Sequence, residues 1–286
     1  MRKMTGIKPD IKTKKSLGQN FLINPGIAPK MIAAGDIDGD FGVIELGAGR
    51  GALTGELLKT AVKVVAVELD RNLIPELSAR FNNCGNLSIV HGDMQKLEFE
   101  RLIESEFAPG VPVAVFGNLP YNITSPVIMK LLEEKLPVEK IVVMVQKEAA
   151  LRLTAPEGSR ASGAVTLAVR YYSEPHILFE VAPGSFNPIP KVSSAVIKLD
   201  VLKQPYVSVK DERYMFKLIK AAFAQRRKTA VNAINAGMSV SKEEVLKAFT
   251  KCGIDVMARA EKMTLADYSI LADTLSVTAK TIGDED

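Results

Sequence analysis

A doubly wound, mostly parallel α/β sheet followed by a small all-helical region is the architecture this chain predicts. Three observations carry it. β-Branched runs alternate with helical patterns from Gly42 onward, a glycine-rich turn follows the first run, and the β-branched runs stop at about Gln204. Alternation favours parallel strands, because a crossover helix returns the chain to start the next strand in the same direction.

Taken in order, 25–34 predicts a short helix and 42–46 a buried strand running into glycines, with a helix over 52–60. Further strands are expected at 62–67, 87–90 and 111–116, with helices near 71–82 and 126–135 between them. Runs at 141–145, 176–181 and 194–199 bring the expected strands to seven, and 156–159 is a loop. Helices are expected at 213–236, 241–251 and 264–279. The division that follows is a basic N-terminal segment (1–24), a sheet domain (25–204) and a helical domain (205–286).

A chain of 286 residues with 47% apolar content buries a sizeable core and suits two domains. No stretch approaches the roughly 20 apolar residues that span a bilayer, and the N-terminus has no apolar signal-peptide centre, so a cytoplasmic protein without membrane contact is expected. Cys84 and Cys252 stand far apart with no Cys or His at ligand spacing, which predicts neither a disulfide framework nor a metal site. His91 and His176 receive no role. A monomer is the default. The net charge of +4 is uneven: residues 1–24 carry six basic and one acidic side chain, 25–202 carry 17 and 21, and 203–286 carry 14 and 11. The positive excess thus sits at the two ends, where a polyanion would feel its local density.

Glu45-Leu-Gly47-Ala-Gly49-Arg-Gly51-Ala52 joins the first long strand to a helix; its glycines permit a sharp turn and close ligand approach, and the helix N-terminus favours an anionic group. Glu68, 21 residues after Gly47 at the end of the next strand, stands where a ribose-binding acid belongs. This much fits NAD and S-adenosylmethionine alike. Asp93 and Met94, just after the third strand of the alternating series, favour the methyl donor: Asp93 can accept from an adenine amino group while Met94 packs on the ring. Gly47, Glu68 and Asp93 follow successive strands at the edge where such sheets bind ligands.

Asn118-Leu119-Pro120-Tyr121 follows the fourth strand, beside that donor site. The lone pair of an adenine N6 is delocalised into its ring, so the amino group is a poor nucleophile until acceptors hold its hydrogens. The side-chain oxygen of Asn118 and the carbonyl of Leu119 suit this, because Pro120 restricts Leu119 to an extended conformation. Tyr121 can stack on the base. The chemistry expected is in-line attack of N6 on a sulfonium methyl, aided by orientation and by dipoles at the developing charge. In isolation the tetrapeptide also reads as an ordinary strand-to-helix turn.

Together these segments resemble the small-subunit ribosomal RNA adenine dimethyltransferases. The resemblance spans most of the chain: Lys15-Ser-Leu-Gly-Gln-Asn-Phe-Leu22, Glu45 to Thr54, Val67-Glu-Leu-Asp70, Gly117-Asn-Leu-Pro-Tyr-Asn122, Gln146-Lys-Glu148, Phe186-Asn-Pro-Ile-Pro-Lys-Val-Ser-Ser-Ala195 and Ala222-Phe-Ala-Gln-Arg-Arg-Lys-Thr229. It implies a Rossmann-like class I methyltransferase fold and S-adenosylmethionine-dependent dimethylation of N6 on two adjacent adenosines near the 3′ end of small-subunit ribosomal RNA, with that RNA or an immature small subunit as partner. It also implies that Asn20 and Leu22 join Gly47, Gly49, Glu68, Asp93, Met94 and Asn118 at the donor, and that Phe186 faces Tyr121 across the target base. Ala48 departs from the proline common there. The rivals are a large-subunit adenine methyltransferase of the macrolide-resistance type, a DNA adenine methyltransferase, an assembly or transcription factor on the same fold and, weakest, a dehydrogenase.

Between Arg213 and Ala236 six residues are basic and none acidic. On one continuous helix Arg213, Lys217, Lys220, Arg227 and Lys228 would share about 100° of arc, with Arg226 off the stripe. Such a stripe suits phosphate contact; the bland alternative is a solvated face.

Overall fold

The computed structural model describes residues 19–283, with side chains through 276. Of the basic segment assigned to the donor site, residues 1–18, including Lys15 to Gly18 of its motif, therefore lie outside the described residues.

The chain opens with a two-residue strand β1 (Phe21–Leu22) and helix α1 (Ile27–Gly35). The alternation then runs β2 (Gly42–Leu46), α2 (Thr54–Leu57), β3 (Lys63–Glu68), α3 (Ile74–Arg80), β4 (Leu87–His91), α4 (Phe99–Glu106), β5 (Val113–Asn118), α5 (Thr124–Glu133) and β6 (Val138–Gln146). After α6 (Lys147–Leu153) and α7 (Ala164–Tyr172) come β7 (Ser173–Val181), the short β8 (Phe186–Asn187) and β9 (Ser194–Val201). Seven strands form one sheet in the order β4-β3-β2-β5-β6-β9-β7. The first five are parallel, and β9 runs antiparallel between β6 and β7. β1 pairs with β8 in a separate two-stranded ribbon.

All five residues of β2 are buried, as a central parallel strand covered on both faces requires. The period of two divides the strands between two cores. Val43, Val64, Ala114, Phe116 and Val142 pack with α1 and α2 on one face, while Ile44, Val65, Val115 and Val143 pack with α4 and α5 on the other.

The helical end comprises α8 (Glu212–Ala224), α9 (Ala230–Gly237), α10 (Lys242–Lys251) and α11 (Leu265–Gly283). The apolar cluster beneath α5 continues into this end through Met215, Leu218, Phe249 and Leu271. A polar clasp reinforces the junction. The Tyr172 hydroxyl donates to Glu212 Oε1 at 2.5 Å, Lys135 pairs with Glu212 Oε2 at 3.0 Å, and the Phe216 ring stacks on Tyr172. Burial, with the Glu212 charge beside it, pushes the Tyr171 hydroxyl up to about 12 and raises that of Tyr172 further, so both stay protonated donors.

The single helix expected over 213–236 is two. α8 ends at Ala224, and Thr229 adopts an extended conformation and caps α9 by accepting from the Asn232 amide. Ala230 N meanwhile donates to Ala258 O at 2.8 Å, a tertiary bond that an uninterrupted helix would forbid.

Candidate active site

The carboxyl ends of β2, β3, β4 and β5, with β1 alongside, enclose a cavity of about 240 Å³. Its position is the one that parallel α/β topology prescribes. The glycine loop turns through Gly47, Gly49 and Gly51, at φ of 76°, 57° and 76°. At Gly51 no other residue fits, since a Cβ would fall 2.5 Å from the Phe81 ring. The amides of Gly47 and Ala48 both donate to Val67 O, fastening the loop to β3. Ala48 is buried against Ala66 and Leu77, so the departure from proline leaves a packed turn.

Glu68 is 5% exposed; its Oε2 accepts from Gly49 N and its Oε1 from Asp70 N, both at 2.8 Å. The carboxylate is thereby held in one orientation at the cavity wall. Asp93 uses Oδ1 for a turn to Gln95 N at 2.9 Å, and buried Met94 lies next to it. Asn118 Nδ2 donates to Asn20 O at 2.9 Å, which leaves Oδ1 as the acceptor that this side chain presents. Leu119 N donates to Met144 O, Thr124 Oγ1 and Ile123 N both bond Pro120 O, and the Tyr121 hydroxyl sits 2.9 Å from Ser194 Oγ. Each residue of the 118–121 turn is thus tied to a neighbouring segment.

Asn20, Leu22, Gly47, Gly49, Glu68, Asp93, Met94 and Asn118 to Tyr121 all line this one cavity. Sequence reasoning misses two further charged lining residues, Glu45 and Arg50. Glu45 is 2% exposed, and burial lifts its carboxyl to about 7, with Thr54 opposing and the Glu68 charge adding to the rise. Thr54 is the polar neighbour of this carboxyl, although Glu45 Oε2 and Thr54 Oγ1 make no well-formed hydrogen bond. The signal for it is an acid inside an otherwise apolar strand. Arg50 lies over the Phe21 ring at 5.0 Å, between the glycine loop and β1. Glu45, Glu68 and Asp93 against Arg50 make the wall acidic on balance, a surface complementary to a cation.

Phe186 is not brought to the cavity. It is 1% exposed and packs in the cluster of Met31, Phe116 and Met144 rather than among the lining side chains, contrary to the expected open position across from Tyr121. In the β1–β8 ribbon Phe186 lies opposite Leu22 and is the buried member of its strand, whereas the alternate residue Asn187 is exposed.

The basic residues divide as the helix does. Arg213, Lys217 and Lys220 are exposed along α8, whereas Arg226, Arg227 and Lys228 project from the loop before α9 and share no helical stripe with them. Among the described residues none of the six is in an ion pair. The Ala230–Ala258 bond also brings exposed Arg259 to the same side of the helical end. Among the described residues no cluster of three or more metal-ligating side chains occurs, and no helix is long and apolar enough to cross a membrane.

A mostly parallel seven-stranded sheet with a nucleoside-sized cavity at its switch point, acids at the ends of β2 and β3 and a further acid just after β4 defines a class I methyltransferase. The particular family follows from comparison with known proteins: the model described as ribosomal RNA adenine dimethylase matches residues 11–276, and the chain belongs to that family. A ribosomal RNA small subunit methyltransferase A from Alkaliphilus metalliredigens is 44% identical over 92% of both chains. A protein of the same name from Geobacillus thermodenitrificans is 43% identical over 92% of this chain and 90% of its own. Among solved structures, a dimethyladenosine transferase from Plasmodium falciparum aligns with a TM-score of 0.74 at 27% identity, over 91% of this chain and 98% of that one. The 23S ribosomal RNA methyltransferase ErmE shares the fold, with a TM-score of 0.69 at 22% identity over 90% of this chain and 100% of its own.

Proposed function

We propose that this protein transfers methyl groups from S-adenosylmethionine to N6 of two adjacent adenosines near the 3′ end of small-subunit ribosomal RNA, in the free RNA or in an immature subunit. The observation that carries the reading is the convergence of Glu68, Asp93 and Asn118 to Tyr121 on one cavity in a member of the adenine dimethylase family.

The residues present fit the donor. Glu68 would hold the ribose hydroxyls, since each of its oxygens bonds one backbone amide and keeps a further lone pair. Asp93 would accept from the adenine amino group, with Met94 against the ring. The buried Glu45 carboxyl would be favoured in its ionised form by a cationic ligand in the cavity. The donor, when bound, supplies an electrophilic methyl on a sulfonium. The acidic wall would hold a cationic donor more strongly than a neutral thioether product.

The chain's own part is orientation. Asn118 Oδ1 and Leu119 O would accept the two N6 hydrogens, drawing the amine toward tetrahedral geometry and stabilising positive charge as it develops on nitrogen. Tyr121, its hydroxyl tethered to Ser194, would present its ring to the base. No strong base is needed, because the methylated amine is acidic enough to release a proton to water. The helical domain (205–286) would bind RNA through Arg213, Lys217 and Lys220 on α8 and through the Arg226 to Lys228 loop with Arg259.

The deciding experiment incubates the protein with labelled methyl donor and either free small-subunit RNA or undermodified small subunits, then maps the modified bases. Label on two neighbouring adenosines is expected. Label on large-subunit RNA alone would overturn the substrate assignment in favour of the macrolide-resistance reading, and label on neither would overturn the activity.

A further inference from the structure

A target adenine inside a folded RNA is stacked between neighbours, and this cavity can reach its N6 only after the base leaves the stack. Something must then occupy the gap. Ile189 is 71% exposed, the highest value among the large apolar side chains of the described residues. A lone exposed isoleucine means little, since scattered apolar residues are normal on any surface. This one differs by its position and its setting.

It sits on the loop between β8 and β9, and both ends of that loop are fastened to the cavity rim. Asn187, two residues earlier, pairs with Phe21 of β1, which lines the cavity. Two residues of chain reach at most about 7 Å. At the other end Ser193 O accepts from Lys147 N, and Ser194 Oγ meets the hydroxyl of the catalytic-turn Tyr121 at 2.9 Å. Pro190 is buried and Pro188 precedes Ile189, so two locked φ angles hold the residue outward at little cost in loop entropy on binding. Lys191 is exposed beside it with no ion pair among the described residues, and Val192 is 42% exposed. A stiff apolar tip with a free cation next to it matches a base stack with its phosphate, whereas a protein partner would call for a broader apolar area than one tip.

Resting on the methyl-transfer reading above, we infer that Ile189 is a wedge that enters the RNA stack where the target adenosine leaves it and holds the base out in the cavity. It is a positioning residue and touches neither donor nor reacting atoms.

The test uses undermodified small subunits as substrate, and an RNA hairpin with 2-aminopurine at the target position to report unstacking. Wild type is expected to raise the 2-aminopurine fluorescence. Ile189→Ser and Ile189→Asp are expected to lose that rise and to methylate subunits at least about tenfold more slowly, with unchanged affinity for the methyl donor and unchanged melting temperature, and Ile189→Met to restore both. Variants with wild-type rate and fluorescence overturn the wedge. So does parallel loss of donor affinity or stability, which marks Ile189 as a support of the rim, and so does a wild type that methylates subunits without any fluorescence rise. A wild type that methylates nothing refutes the proposed function instead.

Discussion

The acidic cavity and the basic helical end carry opposite charge and are built in opposite ways. At the cavity, Glu45 and Glu68 are nearly inaccessible, each ring or amide is fixed by a strand end, and one removed group leaves an unpaired neighbour. At the helical end, the cations stand in solvent on one helix and two loops, with no fixed partners among the described residues. The lesson is one of energetics: buried, mutually held groups act as a unit and fail steeply, while exposed cations contribute small, salt-screened and nearly additive increments.

The sharpest break of this contrast lies at Asn118. Replacing it with alanine removes the proposed N6 acceptor and the bond to Asn20, and methyl transfer should fall by about 10²–10³-fold or more while circular dichroism and melting stay close to wild type. Retained turnover would place the acceptor elsewhere.

Next in size is Glu45. Its folded-state carboxyl, lifted to about 7, binds a proton that the unfolded chain has already released above the ordinary value of 4.5. Stability is therefore greatest below about 4.5 and declines as pH rises toward 7, by on the order of 3 kcal/mol for a shift of this size. Glu45→Gln should flatten that decline in the ligand-free protein and be more stable than wild type at pH 8, as read by denaturant melts across pH. A wild-type slope in the variant would mean that another group titrates.

The smallest effects belong to the basic end. Neutralising Arg227 and Lys228 together should weaken RNA binding without changing donor affinity, and should flatten the dependence of log K on log salt by up to about 0.7–0.9 for each phosphate that is no longer neutralised. An unchanged slope would remove this loop from the RNA surface. A fall as steep as that of Asn118 would erase the contrast itself.

What is legible in the sequence follows the same line. The parallel strands and the glycine turn can be read because a buried central strand has to be a near-continuous apolar run and a tight ligand-binding turn has to use glycine. The helices α4, α6 and α7 leave little trace, being short segments of seven to nine residues, about two turns each, over which a helical period is hard to tell from a loop. Glu45 reads only as the start of a motif, because its importance comes from burial, which no local pattern reports. The break at 225–229 is hidden although Thr229 is a good cap, since six basic residues without an intervening acid look like one face.

By itself the amino-acid sequence determined the seven strands of the main sheet in chain order, the glycine loop, the acids at or after successive strands and the Asn118 to Tyr121 turn, because each depends on residues adjacent in the chain. Tertiary structure decided which side chains meet. Packing around the β1–β8 ribbon buried Phe186 and left Ile189 exposed on the loop that follows. The bond from Ala230 to Ala258 put Arg226 to Lys228 on a loop rather than a helix. Those outcomes turn on contacts between segments far apart in the chain, and a strand's inward face or a helix's end is settled only when its partner arrives.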